Sequence, residues 1–162
     1  MSRLNIASPA DFSASLKAEV EALHQFVTIL QSEQNALTEG NIDSLLEISR
    51  MKSEQVVRLT QLSANHFPNQ NNVAVIPDDI VQVLQEADPD GQYGLAQNWE
   101  KLQELAKQAK HLNSLNGAMI EVQLKHNQQA LAILQEAAMQ NSLYGPDGHS
   151  RGLGTGRQLG KI

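Results

Sequence analysis

The chain has 162 residues, of which 41% are apolar, 19% are charged and only 4% are aromatic, so it suits one folded domain in which helices pack on helices. It has no cysteine, which excludes disulfides, thiol nucleophiles and thiolate metal sites. Its formal net charge is −6, and residues 1–140 carry 9 Lys/Arg against 17 Asp/Glu, so nucleic acid is not expected as a partner.

The N-terminus lacks the apolar stretch of a signal peptide. No segment approaches the roughly 20 apolar residues that a membrane helix needs. We therefore expect a cytoplasmic protein with no direct insertion into a membrane.

The first predicted helix covers about residues 9–38. Ser8 can cap its free amides, and Pro9 suits the first helical position. Apolar residues then follow in steps of four and three, with Gln34 as the one polar member of the stripe: Leu16, Val20, Leu23, Val27, Leu30 and Leu37. This spacing indicates a helix that shares a narrow apolar stripe with a partner helix.

Gly40 is expected to end the first helix, and Asn41 can cap the next one at once. The second helix is predicted over about residues 41–66. Because the connection is so short, the two helices should form an antiparallel pair.

Residues 68–78 are interpreted as a linker, and a short helix is predicted over residues 79–87. Asp-Pro-Asp-Gly at 88–91 predicts a turn. The longest helix is predicted over residues 94–140, where apolar residues keep the spacing of four and three. The glycine-rich residues 143–162 are expected to be a flexible tail.

Together these elements predict an all-α fold. We expect an elongated antiparallel three-helix bundle, similar to a coiled coil, over residues 1–142. Asn113 and Asn116 stand out because asparagine is a poor helix former within the long helix. Asn116 lies on the apolar stripe, where a buried asparagine would fix the register between helices. The alternative is that the two asparagines form a surface patch.

No pattern in the sequence predicts chemistry. No two of the five histidines have the spacing of four that a helical metal site uses. The turn at 88–91 is similar to the opening of a calcium loop but lacks the glutamate six residues after its glycine. The glycines at 152–156 follow no strand and open no helix, as a dinucleotide loop would. We expect no catalytic residue, no metal site, no cofactor and no enzymatic activity.

Four features of the C-terminal half stand out together: Trp99, LNSLNG at 112–117, NQQAL at 127–131 and LYGPDG at 143–148. In this order and spacing they resemble the FlgN family of flagellar type III export chaperones. The N-terminal half is similar in layout, with Glu33 in the first helix and Lys52 in the second. The resemblance covers most of the chain and is most specific over residues 99–148.

The resemblance implies a cytoplasmic chaperone that binds the hook–filament junction proteins and delivers them to the cytoplasmic domain of the export gate. It also implies an antiparallel three-helix bundle and a gate contact at Leu143, Tyr144 and Gly145. The alternative is a generic helical coiled-coil adaptor or scaffold without an export role. The sequence leaves open whether the protein is a monomer or a dimer.

The cargo surface is expected on the last part of the long helix. The apolar residues there cannot all face the same two partner helices, so some of them should stay exposed as a groove for an amphipathic segment. The residues expected to bind cargo are Leu131, Ile133, Leu134 and Ala138.

Overall fold

The computed structural model describes Ile6, residues 8–66, Ile76 and residues 78–143. These residues form four helices and no strand, which confirms the predicted all-helical class. In chain order the helices are α1 (Pro9–Glu39), α2 (Ile42–His66), α3 (Ile80–Ala87) and α4 (Leu95–Leu143). Helix α4 is continuous and ends three residues later than expected. The predicted tail beyond residue 143 lies outside the described residues.

The two ends of α1 follow from its sequence. Ser8 has an extended backbone, and its Oγ accepts a hydrogen bond of 3.3 Å from the amide of Asp11. At the other end Gly40 adopts a left-handed conformation with φ 68°. The amide of Asn41 then donates to Ala36 O at 2.9 Å, which satisfies a carbonyl left open by the end of the helix.

Helix α2 starts immediately after this turn. Asn41 Oδ1 accepts from the amide of Ser44 at 3.1 Å and so caps α2. The helices α1 and α2 pack against each other as a hairpin. Gln55 is the buried polar contact between them, because its Nε2 donates to Ala22 O at 2.6 Å.

The apolar core joins α1 to α3 and to the first part of α4. Leucine and valine side chains of α1 lie in it at steps of seven, four and three, as the sequence predicted. The core consists of Leu16, Leu23, Val27, Leu30, Ile80, Leu84, Leu95, Trp99, Leu102 and Ala109. A three-helix bundle over the whole of residues 1–142 stays a prediction.

The turn at 88–91 connects α3 to α4. Asp88 is buried, and its carboxylate accepts from the amides of Tyr93 and Leu95 at 3.1–3.2 Å. Ser13 Oγ of α1 donates to Tyr93 O at 2.7 Å. The acid that resembled a calcium ligand therefore binds backbone amides at the start of α4.

The chain divides into two units, residues 1–119 and 120–162, and the division falls within α4. The core and every contact described above belong to the first unit. In the second unit, residues 120–143 are helical, and all of their side chains are exposed except that of Gln123, which is half-buried.

Candidate interaction site on the fourth helix

Asn116 is the last buried residue of α4 and is fully enclosed. Its Nδ2 donates to Leu30 O and to Glu33 Oε2 on α1, at 2.8 Å in each case. Glu33 is itself 6% exposed, and Lys52 Nζ of α2 donates to its two carboxylate oxygens at 3.0 and 3.2 Å. We call Glu33, Lys52 and Asn116 the polar clasp, because a single carboxylate connects α1 to both α2 and α4.

Lys52 and Asn116 compensate the buried charge of Glu33 in the clasp. A buried carboxylate is costly unless a countercharge and hydrogen-bond donors surround it. Lys52 supplies the countercharge, and its side chain remains 25% exposed, so the ammonium keeps part of its hydration. Because all three side chains must meet at one point, the clasp fixes how far the helices of the first unit slide along one another.

Sequence reasoning located only part of this cluster. Asn116 was expected on the apolar stripe, and the structure places it in the interior. Asn113, which we grouped with it, lies at the exposed surface and takes no part in the clasp. The polar position on the α1 stripe was assigned to Gln34, which is half-buried, whereas the buried residue is its neighbour Glu33.

Beyond the clasp the character of α4 changes. We call residues 120–143 the arm. Its apolar side chains are about half to two thirds exposed, which is unusual for leucine and isoleucine. The exposed fractions are 45% for Ile120, 55% for Leu124, 58% for Leu131, 67% for Ile133 and 65% for Leu134. Ala138 is exposed as well.

Most of these side chains lie along one line of the arm. Ile120, Leu124, Leu131, Leu134 and Ala138 are separated by steps of four, seven, three and four residues, which keeps them on one face of a helix. We call these five residues the arm stripe. Ile133 follows Leu131 by two residues, so it lies roughly 200° around the helix and outside the stripe. Of the four residues expected to bind cargo, three therefore share a face.

Of the three residues expected to contact the export gate, the structure describes Leu143 alone. Leu143 is the last residue of α4 and is 49% exposed. Tyr144 and Gly145 lie outside the described residues.

Among the described residues, no group of three or more His, Cys, Asp or Glu side chains is placed to hold a metal ion. None of the four helices combines the length and the apolar character needed to cross a bilayer.

The chain matches a family model described as FlgN protein over residues 1–152. "Flagella synthesis protein FlgN" of Yersinia enterocolitica is 30% identical over 149 residues, covering 90% of this chain and 94% of the relative. The protein of the same name from Proteus mirabilis is 30% identical over 148 residues, with the same shares covered. The one from Salmonella typhimurium is 29% identical over 130 residues, or 79% and 81% of the two chains. No solved structure matches the chain significantly.

The family match covers almost the whole chain, and the relatives align over most of their own length as well. These findings confirm the resemblance inferred from the motifs at 99–148. The chain belongs to the FlgN family.

Proposed function

We propose that the protein is a cytoplasmic chaperone of flagellum assembly. It binds hook–filament junction proteins before export and delivers them to the cytoplasmic domain of the type III export gate. Membership of the FlgN family supports a role in flagellum synthesis, and the name that the relatives share describes synthesis of flagella rather than a catalysed reaction. The observation that carries the binding part of the proposal is the exposed arm stripe.

The spacing of the arm stripe favours a helical partner. Steps of four, three and seven residues are those by which one helix packs its side chains against another. An amphipathic helix laid along the stripe would cover Leu124, Leu131 and Leu134, each more than half exposed in this structure. Each fully buried leucine contributes about 1.5–3 kcal/mol of transfer free energy, from which the cost of ordering the partner is subtracted.

The small number of charges on the arm indicates that recognition depends little on electrostatic attraction. The arm carries only Glu121, Lys125 and Glu136 as formally charged residues, and glutamine and asparagine make up much of the rest. With so few charges, long-range attraction contributes little to the association rate. Binding of the junction proteins should therefore change little between low and physiological salt.

The test replaces the centre of the stripe. We expect Leu131→Ser with Leu134→Ser to weaken binding of a junction-protein C-terminal segment at least 100-fold by calorimetry, because two apolar contacts are lost. Gln129→Ser with Gln140→Ser is the matched control, since both glutamines are exposed and lie on the face of the helix opposite the stripe. Equal affinities of the two double variants would disprove the site.

Two further comparisons complete the experiment. Ile133 belongs to the site only when the bound segment reaches around the arm, so Ile133→Ser should reduce affinity in that case and leave it unchanged otherwise. An unrelated amphipathic helix of the same length tests the alternative of a generic adaptor. Binding of that helix as tightly as the junction segment would favour the adaptor.

The delivery part of the proposal concerns Leu143, Tyr144 and Gly145. The FlgN resemblance supports a gate contact at this point. Leu143 at the end of α4 is about half exposed and available for contact. A gate site there would adjoin the arm stripe in sequence, so cargo binding and gate binding use neighbouring but separate residues.

A further inference from the structure

Gly117 is the only glycine of α4, and nothing in its surroundings requires glycine. Its backbone is helical, so it does not occupy the left-handed conformation found at Gly40, Gly91 and Gly94. A Cβ added at Gly117 would meet no atom within 4 Å, so no neighbouring group needs the space. Glycine in a helix interior is less stable than alanine, because it has more backbone freedom to lose.

The place of Gly117 in the chain is equally particular. It directly follows Asn116, which is fully buried and bonded to α1. From Gly117 to Leu143, by contrast, α4 has no buried side chain. Asn113 and Ser114 in the preceding turn are weak helix formers as well. The helix is therefore intrinsically weakest where its fully buried contacts end, although Met119 and Gln123 farther along are half-buried.

We propose that Gly117 is a bending point of α4. The polar clasp holds the helix up to Asn116, and Gly117 lets the helical arm beyond it change direction. Hinges commonly use small residues at the boundary of a packed segment, because these absorb backbone changes with little steric resistance. Such a bend would fit the arm stripe to a bound segment, and this use rests on the function proposed above. The bend itself does not depend on that function.

The absence of cysteine makes a direct test simple, because spin labels attach only at introduced cysteines. Three pairs of exposed residues on α4 are each eighteen residues apart: Ala96 with Ser114, Gln108 with His126, and Glu121 with Met139. Eighteen residues are five helical turns, so a straight helix would place each pair on one side at a distance of about 27 Å. Only the second pair spans Gly117.

We expect the distance distribution from pulsed electron resonance to be broader for the spanning pair than for the two others. Gly117→Ala should narrow the spanning distribution to the width of the Ala96–Ser114 pair. Val122→Ala is the matched control, since it also replaces a weak helix former at an exposed position between the two labels. It should leave the width unchanged.

Three results would overturn the bending point. The distance distribution of the spanning pair could be as narrow as that of the Ala96–Ser114 pair, or Gly117→Ala could leave its width unchanged. The distribution of the Glu121–Met139 pair could also be equally broad, which would assign the mobility to the whole arm. These measurements use the free protein. Adding a junction-protein segment should narrow the spanning distribution, and a segment that does not bind at all counts against the proposed function alone.

Discussion

Asn116 Nδ2 and Glu33 Oε2 are 2.8 Å apart, although 83 residues separate the two in the chain. The same carboxylate accepts from Lys52, so loss of either donor leaves a buried charge with fewer partners. An arrangement of this kind adds less to net stability than an apolar contact of equal size, because desolvation opposes the attraction. Its value is positional, since Lys52 and Asn116 must both reach the one carboxylate of Glu33.

Asn116→Ala is predicted to destabilise the protein by about 2 kcal/mol, because Glu33 loses a buried donor and the site gains a small void. Asn113→Ala is the matched control on the exposed side of α4 and should stay within about 0.5 kcal/mol of the wild type. Urea unfolding followed by circular dichroism measures both. If the two variants unfold at the same urea concentration, the clasp contributes nothing.

Lys52→Ala is predicted to cost about 1–2 kcal/mol of unfolding free energy, since it removes the countercharge of buried Glu33. The exposed Arg50 provides the contrast, because its contacts with Glu47 and Glu54 are closer, at 2.6 Å each, but lie in water. Exposed ion pairs add little. Arg50→Ala should therefore leave the unfolding midpoint unchanged. A larger loss of stability for Arg50→Ala than for Lys52→Ala would contradict the claim that burial makes the Lys52–Glu33 pair the more important one.

Glu47 should titrate lower than an ordinary glutamate. The hydrogen bond from Arg50, and then the charge of Arg50, hold the pKa of the Glu47 carboxyl below its usual value. Both side chains are exposed, so solvent screens the pair and its contribution to stability is small. That contribution is present at pH values above the pKa of an unfolded glutamate and disappears as the pH falls through the lowered folded pKa. A carbon-detected NMR titration should show the low pKa, and Arg50→Gln should raise it; no change on substitution would be inconsistent with the pair.

Gly40 and Gly117 are predicted to respond oppositely to alanine, although an added Cβ has open space at each. At Gly40 the left-handed φ of 68° strains any side chain, so Gly40→Ala should cost about 1 kcal/mol. At Gly117 the backbone is helical, so Gly117→Ala should stabilise by about 0.5–1 kcal/mol. Thermal unfolding of both variants shows whether each substitution raises or lowers the stability. A loss of stability for Gly117→Ala would show that the glycine has a packing role.

Tyr144→Ala is predicted to weaken binding to the cytoplasmic domain of the export gate by about 2 kcal/mol or more, as expected for an aromatic anchor. Tyr144→Phe keeps the ring and should retain most of the affinity. Titrations of the gate domain with each cargo–chaperone complex measure the effect. A fall in the melting temperature of Tyr144→Ala, with gate affinity intact, would make the residue a structural cap.

The sequence predicted what depends on local chemistry. Ser8 and Gly40 mark the ends of α1 because capping needs only neighbouring residues, and the steps of four and three revealed the helices and most of the core. It could not choose between Glu33 and Gln34 as the buried polar residue. Adjacent residues lie about 100° apart around a helix. Which of the two is buried depends on Lys52 and Asn116, which lie elsewhere in the chain.

The same limit applies to α4. Asn113 and Asn116 are three residues apart, so they lie only about 60° from each other around the helix. Periodicity alone cannot tell which of them turns inward. Ile133 is grouped with Leu131 and Leu134 because these apolar residues cannot all face the same two partner helices, and helical geometry places it on a different face from theirs.

The short connection at Gly40 and Asn41 also bears on the order of events at the ribosome. The Lys52–Glu33 contact joins residues 19 apart, whereas Asn116 and Leu30 are 86 apart. Closing the longer loop costs about 1.3 kcal/mol more in chain entropy, which favours early pairing of α1 with α2. Translation runs from the N-terminus, so this hairpin can form while α4 is still being made. The arm, with its exposed apolar face, is then synthesised only after the residues that form the core.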